Sequence, residues 1–594
     1  NQEVELLTGD EQDLVHTGRI TPVHRATEGI TTRTIRELVW RALEQIRSVP
    51  DPMPRDVVAA EELAPFDAAI RAIHFPKSRE ELVAAEERLK FDELFTLELG
   101  VAFRKRRLER TERGMAHIAD GPLVERLLAA LPFEPTKAQR RAMEEIGAAM
   151  VRPSPMNVLL QGDVGSGKTL VALHAALVAI QSGHQAAVMA PTEVLAGQHF
   201  RSIAALLGPF GAVPYLELSG RRQDDGQGSL LEQERDAGGD AGVTYAVLTA
   251  SVTGKDRQKI LDGVAAGDVD LVVGTHALVQ EGVSFRDLSL AVIDEQHRFG
   301  VHQRMALRGK GGSPDVLIMT ATPIPRTLAL TYYGDLDVVV LDEMPRGRLP
   351  VHTRIARTDA ERGSAYDLVR HEVESGRQAF VVCAAIDEAN KSEVRAAEAE
   401  AERLATKVFP DLSVELLHGR MRPAEKERRM EAYRTGEHHV LISTTVIEVG
   451  VDVPNATVML VENAERFGLA QLHQLRGRIG RGEHSSYCVL FDESPPDNEE
   501  ARSRLEAMVR TTDGFELADE DLRLRGEGTL FDVRQSGLPD LKLARLAEDL
   551  ELVRRARARA FGLIERDPDL SEHATLMEEL RTRFERSIDW LFNT

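Results

Sequence analysis

The sequence predicts an α/β protein that contains two parallel-sheet domains in tandem. From residue 157 onward, short apolar runs such as NVLL, AAVMAP and LAVIDE alternate with helical stretches, the pattern of buried parallel strands joined by crossover helices. A second series of the same kind, from QAFVVCAAI to YCVLF, follows a proline-containing stretch at residues 345–350. Because the chain has 594 residues, it has room for both sheets and for further domains.

Helical segments are expected before and after the two sheets in the sequence. Between residues 34 and 131, apolar positions such as Leu38, Leu43, Leu89 and Val101 recur at helical spacing, and beyond residue 495 the chain returns to charged helix. A polar, Gly-rich stretch at residues 221–242 is expected to be a surface insertion. The predicted segments are residues 1–33, 34–131, 132–346, 347–494 and 495–594.

Composition restricts the class of protein but not its ligand. The 96 acidic and 74 basic residues give a net charge of −22, which disfavours broad nucleic-acid affinity, although residues 104–110 and 476–481 are locally basic. Cys383 and Cys488 lie in apolar runs and are expected to be buried thiols, which leaves no disulfide framework. No apolar run approaches the ~20 residues that span a bilayer, and a cytoplasmic protein is expected.

The motif GDVGSGKT at residues 162–169 predicts a nucleotide site. It fits the phosphate-binding pattern G-x-x-x-x-G-K-[ST] and lies between a strand-like and a helix-like run, the context that this motif requires. Gly162, Gly165 and Gly167 allow backbone N–H groups to surround phosphates. Lys168 is expected to bridge the β- and γ-phosphates of ATP, and Thr169 to ligate Mg²⁺.

Two acids and a glutamine are the further candidates for this site. Asp294, at the end of the run LAVID, is expected to hold Mg²⁺, and Glu295 to orient the attacking water. A lone DE pair is otherwise a helix-capping acid beside a solvated one. Gln139, in the helix-like stretch before the loop, is expected to contact the adenine edge, although a helical glutamine is more often simply exposed.

The segment QLHQLRGRIGRG at residues 471–482 supplies arginines from the second predicted sheet. Arg478 and Arg481 are candidates for stabilising charge on the transferring phosphate, since a guanidinium stays charged and presents a planar fork to phosphate oxygens. A solvated basic helix face is the alternative. An ATP site shared by two domains can convert hydrolysis into relative domain motion, so the pair of motifs predicts a motor.

With these motifs in place, the sequence resembles superfamily 2 helicases and translocases. The resemblance rests on eight segments in order: GDVGSGKT, APTEVLAGQHF, GTHALVQ, DEQH, TATP, LLHGRM, STTVIEVGVDVPNA and QLRGRIGRG. It implies two tandem RecA-like motor domains. His297, Thr320, Thr322 and Gln474 fall where related motors couple hydrolysis to domain closure. Positions that match nucleic-acid backbone contacts are Thr192, Gln198, Thr275, His276, His418, Thr444 and Thr445. A capping or turn role is the alternative for each.

Further segments resemble the RecG and Mfd families of DNA translocases. DEQHRFGVHQR and MTATPIPRTLAL are similar to both families, and residues 513–540 resemble the translocation motif that the two share. In that motif Arg523, Arg525 and Gln535 would relay motor closure to duplex DNA, and an ordinary charged hairpin is the alternative. The N-terminal stretch GRITPVHRATEGITTRTIRELVWRAL favours the RecG family, whose N-terminal wedge would be represented only by a remnant at residues 1–33.

The resemblance implies an ATP-dependent, Mg²⁺-requiring translocase that acts on branched double-stranded DNA. Its expected substrates are stalled replication forks and Holliday junctions, with single-stranded DNA-binding protein as a further partner, a monomeric state and a location at the bacterial nucleoid. Two alternatives stay open at this point. One is a translocase of the Mfd kind that engages RNA polymerase, and the other is an RNA helicase.

Overall fold

The computed structural model describes residues 20–22, 30–217, 242–278, 280, 282–294, 313–321, 336–345, 348–384, 398–444, 453–495, 497–525, 541–546 and 548–584. The chain divides into two compact units. Unit 1 comprises Asn1–Thr111, Thr327–Asp335 and Gly526–Thr594, and unit 2 comprises Glu112–Arg326 and Leu336–Arg525. The five segments predicted from the sequence stay a prediction.

The helices, in chain order, are α1 (Thr32–Gln45), α2 (Arg55–Ala60), α3 (Phe66–His74), α4 (Arg79–Thr111), α5 (Pro122–Ala130), α6 (Lys137–Met150), α7 (Lys168–Gln181), α8 (Glu193–Leu207), α9 (Gly254–Ala266), α10 (Asp359–Glu374), α11 (Pro423–Arg434), α12 (Leu469–Arg476), α13 (Glu499–Arg510), α14 (Gly514–Arg525), α15 (Leu550–Arg566) and α16 (Ala574–Arg583).

The strands are β1 (Asn157–Gly162), β2 (Gln185–Met189), β3 (Val213–Pro214), β4 (Thr244–Leu248), β5 (Leu271–Gly274), β6 (Leu288–Asp294), β7 (Asp315–Thr320), β8 (Asp337–Leu341), β9 (Val351–Ala356), β10 (Gln378–Val382), β11 (Val414–Leu417), β12 (Val440–Ser443), β13 (Ala456–Val461) and β14 (Ser486–Phe491).

Unit 1 is helical and is organised around α4. Helices α3, α15 and α16 all pack on this 33-residue helix, which is therefore buried around much of its circumference. The carboxylate of Glu98, fully buried on α4, accepts a 2.7 Å hydrogen bond from Arg557 on α15. Gly100 allows the close approach of the Phe584 ring, which would lie 2.5 Å from an added Cβ. By contrast, α1 forms where helix was predicted but has no buried residue, and Leu38 is 59% exposed.

Unit 2 contains two wholly parallel sheets, as the sequence predicts. The first has the order β3-β4-β5-β2-β6-β7-β1-β8 and the second the order β11-β12-β10-β13-β14-β9. Strands β2, β5, β6 and β7 are buried at every residue, because crossover helices cover both faces of a parallel sheet. Cys383 and Cys488 are buried free thiols, as expected. Among the described residues, no helix is long and apolar enough to cross a membrane.

A buried carboxylate lies at the amino end of β7. Asp315 Oδ1 accepts a 2.6 Å hydrogen bond from the Met156 backbone N–H, and Oδ2 lies 3.4 Å from Nδ1 of His117. Burial raises the pKa of Asp315 to about 7. Because this pKa is above that of the unfolded chain, the native protein binds more protons between about pH 4 and 7. The contribution of Asp315 to stability therefore falls as the pH rises through that window.

Asp315→Asn is expected to stabilise the protein at pH 8 by on the order of 2 kcal/mol or more, and by clearly less at pH 5, where only part of the cost of ionising Asp315 applies. The amide keeps an acceptor for the Met156 N–H but removes the buried charge. Thermal unfolding at both pH values measures the difference, with Asp262→Asn, an exposed position on α9, as the control. An equal gain at the two pH values would show that ionisation of Asp315 is not its cause.

Candidate nucleotide site

The phosphate-binding loop joins β1 to α7 in unit 2 and has the backbone that the sequence predicts. Gly165 and Gly167 have φ angles of +80° and +90°, which disfavour a side chain. A Cβ at Gly162 would lie 2.6 Å from the Ser166 hydroxyl. The ammonium group of Lys168 donates to the carbonyls of Gly162 and Asp163, both at 2.9 Å. The loop therefore places a cation beside the N-terminus of α7, where backbone N–H groups favour anions.

Gln139 holds this loop from α6. Its Nε2 donates to the carbonyl of Ser166 at 2.8 Å, while its Oε1 accepts from the backbone N–H of Thr136 at 2.9 Å. The side chain is 2% exposed, so it is not the exposed helical glutamine that was the alternative. Both ends of the amide are engaged in supporting the loop and capping α6. Contact with adenine stays a prediction.

Asp294 ends β6, and an unpredicted histidine contacts it. His199 on α8 places Nε2 2.7 Å from Oδ2 of Asp294, and both side chains are buried. His199 was missed because it is 95 residues away from Asp294 in the sequence. Thr169, the other predicted Mg²⁺ ligand, lies in the first turn of α7. Hydroxyl and carboxylate oxygens are suitable ligands for Mg²⁺.

The second sheet of unit 2 reaches the phosphate-binding loop through α12. Nε2 of His473 lies 2.5 Å from Oδ1 of Asp163, a residue of the loop itself. Immediately after α12, Gly477 lies so close to Val164 that an added Cβ would be 2.8 Å from the valine Cβ. The sequence predicted that the segment 471–482 serves the nucleotide site, but it did not identify His473 or Asp163.

A buried hydrogen-bond chain fixes the orientation of His473. Arg476 donates from Nη2 to Nδ1 of His473 at 2.9 Å, and from Nη1 to the carbonyls of Met508 and Thr511 at 2.7 and 2.9 Å. Since a guanidinium only donates, Nδ1 must accept and Nε2 carries the proton given to Asp163. Burial raises the pKa of Asp163, but the hydrogen bonds from His473 and from the Val164 backbone N–H, together with the charge of Lys168, more than offset it and hold that pKa below its usual value.

The link between the two sheets also contacts the loop. The guanidinium of Arg348 donates to the carbonyl of Val164. A cavity of about 350 Å³ lies beside this contact, and its lining includes Asp163, His473 and Phe515. Arg348 had no sequence signal that distinguished it from other arginines of a linker.

The two predicted phosphate arginines follow α12 directly. Arg478 is 8% exposed, and Arg481 donates from Nε to the carbonyl of Gly477 at 3.1 Å. Gln474, predicted to couple hydrolysis to closure, is buried on α12, and Thr320 is buried at the end of β7. Arg478 is therefore not part of a solvated basic face.

The described candidates for DNA contact lie at or after the carboxyl ends of strands. Thr192 caps α8 by accepting from the Leu195 N–H at 3.3 Å. Thr275 and Thr444 are buried after β5 and β12, respectively, whereas His276 is exposed and His418 is half-buried. The Thr192 hydroxyl thus caps α8, and its contact with DNA stays a prediction. Gln198, the remaining described candidate, is half-buried on α8, and Arg523 of the predicted translocation motif is exposed on α14.

Several predicted site residues lie outside the described residues. They are Glu295, His297, Thr322, Thr445 and Gln535, together with the side chain of Arg525. The insertion predicted at residues 221–242 also falls outside them, except for Gly242.

Three protein-family models match successive parts of the chain. DEAD/DEAH box helicase matches residues 136–331, the helicase conserved C-terminal domain matches residues 364–483, and ATP-dependent DNA helicase RecG, domain 3, C-terminal, matches residues 511–592. ATP-dependent DNA helicase RecG of Synechocystis sp. is 45% identical over 99% of this chain and 67% of its own length. The chain belongs to the RecG family. It is an ATP-dependent DNA helicase, and the predicted resemblance is confirmed.

Other RecG proteins agree with this assignment. RecG of Bacillus subtilis is 42% identical over 94% of this chain and 78% of its own length. A solved structure of RecG bound to a three-way DNA junction is 40% identical, with a TM-score of 0.65, and covers 92% of this chain and 67% of that one. The Mfd-like and RNA-helicase alternatives are therefore not favoured, and the predicted pair of RecA-like domains is confirmed.

Proposed function

We propose that this chain is an ATP-driven double-stranded DNA translocase that remodels branched DNA, including stalled forks and Holliday junctions. The observation that carries the proposal is the junction of α12 with the phosphate-binding loop, made by His473 with Asp163 and by Gly477 with Val164. An ATP site supported from both sheets can link the chemistry of the γ-phosphate to the arrangement of the sheets. The RecG relative solved with a three-way junction supports branched DNA as the substrate.

Within this function, the nucleotide site uses residues from both sheets. Lys168 would bind the β- and γ-phosphates, and Thr169 and Asp294 would hold Mg²⁺, which would supply positive charge to offset that of the phosphate oxygens. The oxygen atoms of Thr169 and Asp294 suit Mg²⁺, and the close-fitting glycine loop suits the phosphates of ATP. Glu295 positions the attacking water, and Arg478 and Arg481 stabilise the charge on the transferring phosphoryl group.

DNA is proposed to run along the carboxyl edges of the two sheets, where residues such as Thr192, Gln198 and His276 are found. Hydroxyl groups and backbone amides at these edges bind phosphates without reading sequence. With a net charge of −22, binding must depend on local contacts. Residues 513–540 transmit motion to the duplex through Arg523, Arg525 and Gln535. We further propose a monomer that works at the nucleoid with single-stranded DNA-binding protein.

Glu295→Gln tests the proposed function together with the DNA substrate. The wild-type chain is expected to hydrolyse ATP at least about tenfold faster with forked DNA than without DNA. Glu295→Gln is expected to bind ATP but to lose turnover, because the neutral amide cannot accept a proton from the attacking water. Phosphate release is measured with forked DNA, linear duplex and duplex RNA of equal length. A wild-type rate that forked DNA does not raise, or that RNA raises more, would contradict the proposal.

A further inference from the structure

Helix α8 joins a proposed DNA contact to the proposed metal site. It begins after β2 with Thr192 as its cap, and carries Gln198 and His199 in succession. Strand β2 pairs in parallel with β6, so that Met189 lies opposite Ile293, the residue before Asp294. The first turn of α8 and the carboxylate of Asp294 therefore project from the same edge of two neighbouring strands.

The contact between His199 and Asp294 has a defined direction. An ionised carboxylate only accepts hydrogen bonds, so Nε2 of His199 donates to Oδ2 of Asp294 over the 2.7 Å that separate them. Both side chains are about nine-tenths buried, and a charge-assisted bond away from water is strong and sensitive to geometry. Since the imidazole is rigid and fixed to α8, a shift of the helix moves the donor against the carboxylate.

We propose that His199 is a positioning residue that couples DNA contact at α8 to the metal-holding carboxylate of Asp294, an inference that rests on the proposed function. The bond engages Oδ2 and so restricts the orientation of the whole carboxylate group. DNA held by the residues of α8 fixes the helix, and His199 then fixes the carboxylate in the orientation that binds Mg²⁺ with ATP. By linkage, Mg·ATP must strengthen DNA binding by the same factor.

A second histidine–aspartate pair in the same sheet offers a matched control. Nδ1 of His184 lies 2.6 Å from Oδ2 of Asp287, just before β2 and β6 begin. This pair has the same chemistry and joins the same two strands at the opposite edge from Asp294. It is more exposed, at 22% and 39% for the two side chains. Loss of this pair should leave the coupling between nucleotide and DNA unchanged.

The test compares His199→Gln, whose amide nitrogen reaches the position of Nε2, with His199→Asn, whose amide is too short. The Kd of a fluorescent, non-hydrolysable ATP analogue is measured in Mg²⁺ with and without saturating forked DNA. The Kd of the DNA is then measured with and without the analogue. Wild type, His199→Gln and the control His184→Ala, which removes the second pair, are expected to show coupling of at least about fivefold in both directions, and His199→Asn less than about twofold.

Two further measurements separate the possible results. In EDTA the wild-type coupling is expected to fall to the value of His199→Asn, since the link passes through the metal-holding carboxylate. Coupling in His199→Asn equal to that of wild type overturns the role of His199. If wild type itself shows no coupling although it binds both ligands, the coupled motor of the proposed function fails instead. Thermal unfolding of each variant checks that the comparison is made between folded proteins. If His199→Asn does not fold, His199→Gln decides: a folded His199→Gln protein that keeps the bond but loses the coupling would overturn the role of His199.

Discussion

Lys168→Ala is expected to lower DNA-stimulated ATP hydrolysis by at least about a hundredfold, because the loop loses its cation at the transferring phosphate. The ammonium group already lies within the loop, bonded to the carbonyls of Gly162 and Asp163 at 2.9 Å. Little reorganisation is therefore needed for it to reach phosphate oxygens. Steady-state phosphate release at saturating forked DNA measures the loss, and DNA unwinding should fall in parallel.

The matched control is Lys137→Ala, at an exposed lysine that begins α6 in the same sheet domain. It should retain wild-type hydrolysis. Removal of Lys168 should change thermal stability far less than it changes hydrolysis, since the bonds of its ammonium group to Gly162 and Asp163 are made with backbone carbonyls of the loop. Hydrolysis by Lys168→Ala within tenfold of wild type would show that the site does not work through this residue.

His473→Leu is expected both to destabilise unit 2 and to reduce hydrolysis more than about tenfold. Leucine leaves the buried carboxylate of Asp163 and the buried guanidinium of Arg476 without their shared partner, and such a loss costs about 1.5–3 kcal/mol for each charged group. It also releases the loop from α12, which Arg478 and Arg481 follow directly in the sequence. Thermal unfolding and phosphate release measure the two effects separately.

The pH dependence of this variant follows from Asp163. Since the hydrogen bond from His473 holds the pKa of Asp163 below its usual value, the stability it contributes is present above about pH 4 and is lost as the pH falls through the lowered pKa. The difference between wild type and His473→Leu should therefore shrink in acid. His371→Leu, at an exposed position on α10, is the control. Equal stability of His473→Leu and wild type at pH 7 would contradict the proposed contact.

The local parts of the fold and site could be predicted because each depends on neighbouring residues. The strand β1, the glycine loop and α7 form one continuous segment, in which apolar runs, positive φ angles and a helix N-terminus all follow from local sequence. The burial of Cys383 and Cys488 followed from their apolar runs in the same way. Helical spacing also predicted α1, but it did not predict the exposure of Leu38, since burial depends on what packs on the helix.

By itself, the sequence determined that this protein has two parallel sheets, with the phosphate-binding motif on the first and the arginine-rich segment on the second. Only the tertiary structure decided which side chains from distant parts of the sequence contact each other. His473 meets Asp163 across 310 residues, and His199 meets Asp294 across 95. The sequence around each histidine does not indicate its hydrogen-bond partner, because hydrogen bonds between distant segments depend on the order of the strands and the placement of the helices. The motifs therefore predict the residues of the nucleotide site, whereas the packing of the sheets determines which other side chains contact them.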